Sequence, residues 1–459
     1  MEFINEVKIN SLIEDKRLHS VDLQKEIILK AKYAKGLSIE DSAALLNISD
    51  QQILEQLFST AREVKEKIYG NRLVLFAPLY LTNLCINNCL YCSFRKDNKE
   101  IARKTLTLDE IQQEVKFLVE QGHKRLLLVC GEHPKKASMD FIGESVNAVY
   151  QVNVNGSNIR RVNINTAPLS INQFKELKSF GIGTYQCFQE TYHYETYLKM
   201  HPDGPKKDYA WRLYAMDRAL QAGIDDVGIG VLFGLADYKF ETLSMLLHAD
   251  NLDKRFGIGP HTISIPRLEP ALNAPAANQP PHAVNDIEFK KLIAVIRLSV
   301  PYTGIILSTR ERAELRRELF NIGVSQISAG SRTSPGSYKN GNEQKAEQFQ
   351  LGDHRTLEEV VKDCCQLGYM PSFCTACYRS ERTGDRFMQL AKSGNIGKIC
   401  TPNAISTFQE YINDFLLDGS CEIAEDFLQN EVEKLEDNIK TKTENMIKRV
   451  NDGEKDVFF

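Results

Sequence analysis

Apolar runs and segments with helical periodicity alternate along most of the chain. Eight runs rich in apolar and β-branched residues lie at 73–81, 124–130, 160–166, 184–189, 226–233, 261–266, 304–309 and 324–329. The segments between them have helical periodicity, and two begin with capping boxes, Thr107 with Glu110 and Ser170 with Gln173. Short, continuously apolar strands suit burial on both faces. The pattern therefore predicts the α/β class and, within it, a parallel (βα)8 TIM-type barrel.

An open, doubly wound parallel sheet is the alternative arrangement for this alternation. Its dinucleotide-binding form carries G-x-G-x-x-G after the first strand, and no such motif follows residues 73–81. The barrel is therefore the better prediction. Two segments break the rhythm: 267–285 is rich in proline, and 330–353 is rich in glycine, serine and asparagine. Because both follow predicted strands, we expect long loops on the catalytic face of the barrel.

Regions with a different pattern flank the predicted barrel, which we assign to residues 71–368. Residues 1–70 are polar with helical periodicity, and Ser20 and Ser38 are typical helix starts, so we expect an N-terminal helical extension. Residues 369–459 are expected to form a small C-terminal helical domain. Its charge-rich end is predicted to be a frayed, solvated face.

Composition and charge limit the cellular setting. The 459-residue chain has a net charge of -4, which gives no basic surface for nucleic acid. The N-terminus lacks the pattern of a signal peptide, and no apolar run reaches the roughly 18 to 20 residues of a membrane span. We therefore expect a cytoplasmic protein that contacts neither nucleic acid nor membrane. Eleven cysteines, an odd number, favour reduced thiols over a disulfide framework.

Three cysteines directly after the first apolar run form a compact motif. Cys85, Cys89 and Cys92 are spaced C-x3-C-x2-C. Zinc sites and most iron–sulfur clusters take four protein ligands. A local set of three therefore indicates a cluster with one iron left open to a small molecule. Three buried thiols or a zinc loop are the alternatives.

A second set of three cysteines lies beyond the predicted barrel. Cys374, Cys377 and Cys400 are spaced C-x2-C-x22-C. Again there are three thiols and not four, and a three-cysteine zinc knuckle is the alternative. The motif places a second metal centre in the predicted C-terminal domain.

The sequence is similar to the radical SAM (S-adenosylmethionine) superfamily, in which the open iron binds the amino and carboxylate groups of SAM. The resemblance rests on the first cysteine motif, with Tyr91 before its third cysteine, and on Gly131-Glu132 after the second apolar run. Cys130 replaces the first glycine of the family's Gly-Gly-Glu-like motif. The family's interaction there is mainly with the backbone, so the replacement is tolerable.

Two further residues resemble the family's SAM-binding positions. Glu190 ends the fourth apolar run, and Arg212 lies in the helix that follows. The resemblance implies that they hold the ribose hydroxyls and the carboxylate of SAM, and an arginine fork matches a carboxylate well. A surface ion pair is the alternative for each.

Substrate groups are expected at the same rim of the barrel. An arginine at the C-terminal end of a strand is costly to bury without an anion, so Arg310 is a candidate clamp for an amino-acid carboxylate. Ser328 follows on the next strand, and Tyr80 should face the barrel interior. The three resemble the aromatic-amino-acid site of the tyrosine and tryptophan lyase branch of radical SAM enzymes. A structural ion pair of Arg310 with Glu311 or Glu314 is the alternative.

Nearly the whole chain, from about residue 10 to 420, resembles the radical SAM tyrosine lyases of FeFe-hydrogenase maturation. The resemblance includes the second cysteine set and the segments 224–234 and 257–262. It implies cleavage of L-tyrosine at Cα–Cβ to p-cresol and dehydroglycine, followed by formation of CO and cyanide, under anaerobic conditions. The implied partners are L-tyrosine, SAM, a ferredoxin- or flavodoxin-type electron donor and other hydrogenase maturation factors.

The same resemblance implies the cofactors. They are SAM, a 4Fe-4S cluster with an open iron site, and an auxiliary C-terminal iron–sulfur cluster, 4Fe-4S plus one extra iron. A residue other than cysteine must help to hold the extra iron, and His261, at the start of the sixth strand, is the candidate. His248, late in the preceding helix, competes for this role.

Two other functions are consistent with parts of the pattern. A 2-iminoacetate synthase, the tyrosine lyase of the thiazole (thiamine) pathway, would share the barrel motifs but stop at dehydroglycine and lack the second cysteine set. A zinc-binding interaction protein with two cysteine knuckles is the alternative from another class. Missing fourth ligands and the eightfold strand–helix pattern both disfavour it.

Overall fold

The computed structural model describes residues 3–341, 346–394, 396–416 and 420–459. Its strands are β1 (Arg72–Thr82), β2 (Arg125–Cys130), β3 (Asn153–Val154), β4 (Ser157–Asn158), β5 (Arg161–Asn165), β6 (Thr184–Gln186), β7 (Asp226–Gly230), β8 (Thr262–Ser264), β9 (Gly304–Leu307), β10 (Gln326–Ser328) and β11 (Met370–Ser372). β1, β2 and β5 to β10 form a parallel sheet, which closes because Val74 of β1 pairs with Gln326 of β10. The α/β class and the eight-stranded barrel are confirmed.

Helices surround this barrel and extend it at both ends of the chain. α1 (Glu6–Glu14), α2 (Val21–Ala31), α3 (Ile39–Leu46) and α4 (Gln51–Tyr69) precede it. Between the strands and after the last of the eight lie α5 (Leu108–Glu120), α6 (Met139–Gln151), α7 (Ile171–Ser179), α8 (Tyr194–Met200), α9 (Tyr209–Leu213), α10 (Ala215–Gln221), α11 (Tyr238–Phe256), α12 (Pro275–Asn278), α13 (Asp286–Ser299), α14 (Ala313–Phe320), α15 (Ser337–Asn340) and α16 (Leu357–Gln366). α17 (Ala376–Arg379), α18 (Gly384–Lys392), α19 (Ile396–Phe415), α20 (Ser420–Glu433) and α21 (Asp437–Asn451) follow β11.

Side-chain caps explain where several of these helices begin. Both predicted capping boxes form, at Thr107 for α5 and at Ser170 for α7. Ser20 and Ser38 cap α2 and α3 as expected, and the cap at Ser38 is also a capping box. Each cap satisfies backbone N–H groups that have no partner within the helix.

Some elements differ from the sequence-based expectation. β6 and β8 are only three residues long, shorter than the apolar runs at 184–189 and 261–266. Two short pairings were not predicted. β3 and β4 form an antiparallel ribbon, and β11 pairs with the first residues of β1, before β2 joins it at Ala77. Among the described residues, no helix is long and apolar enough to cross a membrane.

The N-terminal helices pack on the outside of the barrel. α4 contacts α13, and α3 contacts both α11 and α13. Buried Leu45 and Leu57 belong to the same apolar core as the barrel strands. A buried hydrogen bond of 2.7 Å joins the hydroxyls of Ser42 and Ser299. These contacts hold the expected N-terminal helical extension against the barrel, whereas the domain boundaries at 70 and 368 stay predictions.

The C-terminal end is solvated along its charged residues, as expected, since Lys448, Arg449, Asp452 and Glu454 are exposed, but it is not frayed. Val457 is buried, and its carbonyl oxygen accepts a hydrogen bond from Ser406 of α19. The N–H of Asp456 donates to Glu410, whose buried carboxylate also pairs with Arg160. These contacts hold the last residues against α19, and sequence polarity alone did not reveal them.

Candidate active site and second cysteine cavity

A cavity of about 220 Å³ opens at the C-terminal ends of the barrel strands. The sequence-predicted residues for cluster, SAM and substrate all line it: Tyr80, Cys85, Cys89, Tyr91, Cys92, Gly131, Glu132, Glu190, Arg212, Arg310 and Ser328. They come from the loops after β1, β2 and β6, from α9, and from β1, β9 and β10 with their adjoining loops. The fold thus brings together side chains that are separated by nearly 250 positions in sequence.

Amide side chains point at two of the three thiols in this cavity. Asn87 Nδ2 donates to Cys85 Sγ over 3.8 Å, and Gln348 Nε2 donates to Cys92 Sγ over 3.5 Å. Burial raises the pKa of Cys89 to about 12 and also raises the pKa of Cys92. A thiolate at these positions therefore needs a positive partner, and a bound iron–sulfur cluster supplies one.

The loop that carries the thiols lies directly against Gly131. A Cβ atom built on Gly131 would come within 2.5 Å of the Leu84 carbonyl oxygen. The neighbouring Glu132 accepts a hydrogen bond of 2.6 Å from Asn87, and its backbone carbonyl accepts one from Ile86. The glycine is required by this close approach, so the loop after β2 supports the cysteine loop. The donor set and this support fit a three-cysteine cluster.

Glu190 carries two cationic neighbours inside the cavity. Its carboxylate accepts from Lys206 Nζ at 2.6 Å and from an Arg212 nitrogen at 3.4 Å. Burial alone would raise the pKa of Glu190, but the charges of Lys206 and Arg212 outweigh it and lower the pKa. Glu190 and Arg212 therefore form an ion pair, but both are buried, so it is not the surface ion pair that was the alternative. Lys206 was not predicted from the sequence.

Tyr91 is fixed by a histidine from a distant segment. The Tyr91 hydroxyl and His201 Nε2 lie 2.6 Å apart, and His201 Nδ1 lies 2.7 Å from the Tyr197 carbonyl oxygen. Burial lowers the pKa of His201 well below its ordinary value, so the neutral ring donates to the carbonyl and accepts from Tyr91. This arrangement holds the Tyr91 ring beside Cys89.

Arg310 is half-buried, and its neighbours differ from those of the ion pair that was the alternative. Glu311 pairs with Arg267 at 2.9 Å, and no described carboxylate lies within ion-pairing distance of Arg310. Burial is the largest cause that lowers the pKa of Arg310. A partly desolvated guanidinium without an ion-pair partner is a good receptor for a carboxylate.

The other two predicted substrate residues border the same cavity. The Tyr80 hydroxyl donates to Gln348 over 2.8 Å, and burial raises the pKa of the phenol. Ser328 Oγ accepts from the Thr309 N–H over 3.1 Å. Tyr80 and Ser328 therefore flank Arg310 from two different strands.

A second cavity, of about 70 Å³, lies at the opposite end of the barrel. Cys374, Cys377, Cys400 and His261 all line it, as do the cationic residues Arg72, Arg125 and Arg382. His248 is not among its lining residues. Its Nδ1 instead lies 2.8 Å from the Tyr192 hydroxyl, on the outer side of the barrel. The structure thus favours His261 over His248 as a neighbour of Cys374, Cys377 and Cys400, which we call the tail cysteines.

One ring nitrogen of His261 lacks a hydrogen-bond partner. Its Nδ1 lies 3.5 Å from Asp226 Oδ1 but has no hydrogen-bond partner among the described residues, and its Nε2 lies 3.5 Å from the Tyr378 hydroxyl. Burial lowers the pKa of His261, which leaves a neutral ring. A neutral imidazole with a buried, unpartnered nitrogen fits a metal ligand.

The tail thiols also interact with one another and with the backbone. A hydrogen bond between Cys377 and Cys400 is the largest cause that raises the pKa of Cys377 and lowers the pKa of Cys400. The Ala376 N–H lies 3.4 Å from Cys374 Sγ. This donor set fits thiolate ligation. Across the described residues, no three His, Cys, Asp or Glu side chains converge closely enough to hold a single metal ion.

Comparison with known proteins first defines the class. Residues 79–248 match the radical SAM superfamily, and residues 264–370 match the biotin and thiamin synthesis associated domain. Together with the barrel and its thiol-lined mouth, these matches define a radical SAM enzyme. This class implies SAM and a 4Fe-4S cluster. The alternative of a zinc-binding interaction protein has no support in them.

The relatives then identify the branch. A solved structure of HydG, a maturase of the FeFe-hydrogenase, is 49% identical, covers 100% of both chains and has a TM-score of 0.97. HydG from Carboxydothermus hydrogenoformans is 43% identical over 97% of this chain and 100% of its own, with a TM-score of 0.82. The 2-iminoacetate synthase of Escherichia coli strain K12 is 33% identical over 74% of this chain and 88% of its own. The chain belongs to the HydG family of radical SAM maturases.

Proposed function

We propose that this protein cleaves L-tyrosine at Cα–Cβ to p-cresol and dehydroglycine and converts the latter to CO and cyanide for the FeFe-hydrogenase active site. One observation carries the proposal: a single barrel has a thiol-lined cavity at each end. We call the cavity at the C-terminal ends of the strands, lined by Cys85, Cys89 and Cys92, the upper cavity. The cavity at the opposite end, lined by Cys374, Cys377 and Cys400, is the lower cavity. The radical SAM class accounts for the upper cavity, and the lower cavity calls for a second reaction site.

The upper cavity divides into a region for SAM and a region for the amino acid. Cys85, Cys89 and Cys92 would hold a 4Fe-4S cluster, which together with SAM supplies a deoxyadenosyl radical when reduced. The buried group of Glu190 with Arg212 would hold polar groups of SAM, with Tyr91, Gly131 and Glu132 as further contacts. The protein's own contribution is position and exclusion of water.

Tyrosine would bind at the other side of the same cavity. Arg310 lines the cavity with a planar fork that matches a carboxylate, and no described carboxylate lies within ion-pairing distance of it. Tyr80 and Ser328 border this position. The tyrosine amino group would then face the SAM region, where hydrogen abstraction takes place.

The lower cavity would complete the reaction. Cys374, Cys377 and Cys400 would hold an auxiliary cluster, 4Fe-4S plus one extra iron, and His261 would help to hold the extra iron. The dehydroglycine fragment would pass through the barrel interior. Polar residues such as Gln186 on the upper side and Gln326 on the lower side line that interior.

A 2-iminoacetate synthase is the second candidate, because a relative of that name is 33% identical. That relative covers 74% of this chain, whereas the HydG structures cover 97% and 100%. The wider coverage supports the maturase function. Further parts of the proposal are a ferredoxin- or flavodoxin-type electron donor, contact with other maturation factors and a cytoplasmic location, without nucleic acid or membrane as partners.

Anaerobic incubation with SAM, dithionite and tyrosine tests this function. The maturase function requires deoxyadenosine, p-cresol, CO and cyanide. Deoxyadenosine and p-cresol without CO or cyanide would instead assign the chain to the 2-iminoacetate synthases. Absence of p-cresol under conditions that yield deoxyadenosine would exclude tyrosine as the substrate.

A further inference from the structure

Glu241 has a fully buried carboxyl group on the first turn of α11, outside the cavity that binds SAM in the proposed function. It accepts hydrogen bonds from the Thr191 hydroxyl and, over 2.8 Å, from the Tyr192 N–H. Both donors lie in the loop after β6, immediately beyond Glu190. A buried carboxyl group that binds a loop backbone in this way fixes the path of that loop.

Glu190 has an unusual backbone conformation at the start of the same loop. Its φ is 71°, in the left-handed region that residues other than glycine rarely adopt. The Glu190 carbonyl oxygen accepts a hydrogen bond from the Leu232 N–H over 2.9 Å. This conformation persists only where neighbouring contacts hold it, and it turns the side chain into the cavity towards Lys206 and Arg212.

The bonds to Glu241 and the left-handed backbone of Glu190 concern neighbouring residues of one loop. The Gln189 N–H donates to the Gly230 carbonyl oxygen over 3.0 Å and fixes the chain before Glu190. The Leu232 bond and the bonds from Thr191 and Tyr192 to Glu241 fix the chain after it. With both sides held, the backbone between them cannot relax towards negative φ. The Glu190 carboxylate is thereby kept beside Lys206.

We propose that Glu241 is a positioning residue for SAM, acting through the left-handed backbone of Glu190. The proposal rests on the SAM-binding role of Glu190 in the proposed function. Glu241 itself is not among the residues that line the cavity. Its substitution should therefore weaken SAM binding without removing any group that contacts SAM.

A double-mutant cycle on the SAM dissociation constant tests the proposal. The holoenzyme, reconstituted anaerobically with iron and sulfide, is titrated with SAM in equilibrium dialysis without reductant. We expect Glu190→Gln to weaken SAM binding about tenfold and Glu241→Ala to weaken it about fivefold, with the double variant no weaker than Glu190→Gln within about twofold. Glu241→Gln, which keeps an acceptor for the Tyr192 N–H, should restore nearly the parent affinity.

Two further variants keep the test decisive. Thr191→Val removes one of the two bonds with little change in volume, so it should give a smaller loss with the same dependence on Glu190, even if Glu241→Ala does not fold. Glu410→Ala is the matched control, since this buried carboxylate also accepts a backbone N–H but lies by the lower end of the barrel. It should lower the melting temperature and leave the SAM dissociation constant unchanged.

The outcomes separate the two levels of the proposal. If Glu190→Gln leaves SAM affinity unchanged, the assignment of Glu190 to SAM fails, and the positioning role fails with it. A second case is that Glu190→Gln weakens SAM binding. The positioning role alone is then overturned if Glu241→Ala and Thr191→Val leave SAM affinity unchanged, or if their losses add to that of Glu190→Gln. The positioning role is supported if the losses of SAM affinity are non-additive and Glu241→Gln restores nearly the parent affinity.

Discussion

The guanidinium carbon of Arg310 lies 3.2 Å from the centre of the Phe349 ring. This contact holds a half-buried cation that has no ion-pair partner among the described residues. A planar cation stacked on a ring leaves its edge for a bidentate contact. The arrangement supports the carboxylate clamp rather than a structural ion pair.

Arg310→Lys tests the clamp. Lysine keeps the charge but loses the bidentate fork, so tyrosine binding should weaken by about 1–3 kcal/mol while SAM binding stays nearly unchanged. Binding of both ligands is measured on the reconstituted enzyme. Arg312→Lys is the control, because Arg312 is exposed and pairs with Asp286 at 2.7 Å. Equal losses of tyrosine and SAM affinity for Arg310→Lys would show that this residue serves the fold or SAM.

Cys89→Ala tests the upper cluster. Two thiols remain in the cavity, so the cluster should not assemble stably and iron content should fall by roughly half, with the tail cluster retained. SAM cleavage should be lost, as measured by deoxyadenosine. Cys187→Ala is the control, because Cys187 is buried but is not among the residues that line the upper cavity. Robust deoxyadenosine formation by Cys89→Ala would remove the basis for the upper site.

The sequence predicted those parts of the site that lie in local patterns. Both cysteine sets are compact motifs, and capping boxes and apolar runs are also local signals, so barrel and thiols were found together. Gln348 was missed because it is 256 residues from Cys92, whose thiol it approaches. Only the sequence of the 330–353 loop, rich in small polar residues, hinted at a functional segment there.

Other features depend on tertiary contacts that sequence patterns do not encode. Lys206 belongs to no recognisable sequence motif. It pairs with Glu190 only because the fold brings its segment next to that residue. β11 has three residues, including Pro371, which is too short for a periodic signal. The burial of Val457 likewise depends on its contact with Ser406.

The pH dependence of stability should report the environment of Glu241. Burial raises its pKa from 4.5 to about 8. Because the folded-state pKa is raised, the stabilisation by the protonated form is complete below about pH 4.5 and is lost as pH rises to about 8. We therefore expect the parent protein to lose stability relative to Glu241→Gln across this window. Denaturant unfolding of both proteins at several pH values measures the difference, and a constant difference would contradict the shifted pKa.

His261→Ala tests the ligand for the extra iron. The three tail cysteines remain, so the tail cluster should persist, but the extra iron should bind weakly and CO formation should fall. Iron per chain and CO are measured after reconstitution. His248→Gln is the comparison, because His248 is buried outside the lower cavity, and it should leave CO formation intact. Loss of CO in His248→Gln with full activity in His261→Ala would reverse the assignment.

Cys377→Ala separates the two cavities. The tail thiols have no contact with the upper cavity, and they line a separate space with His261. If the two sites work in series, removal of one tail thiol should destroy the tail cluster and leave tyrosine cleavage running. Deoxyadenosine and p-cresol should then still form, while CO falls to background. Cys365→Ala is the control, because Cys365 is buried and is not among the residues lining the lower cavity. A Cys377→Ala protein that forms CO at the parent rate would make the tail cysteines structural and favour a 2-iminoacetate synthase.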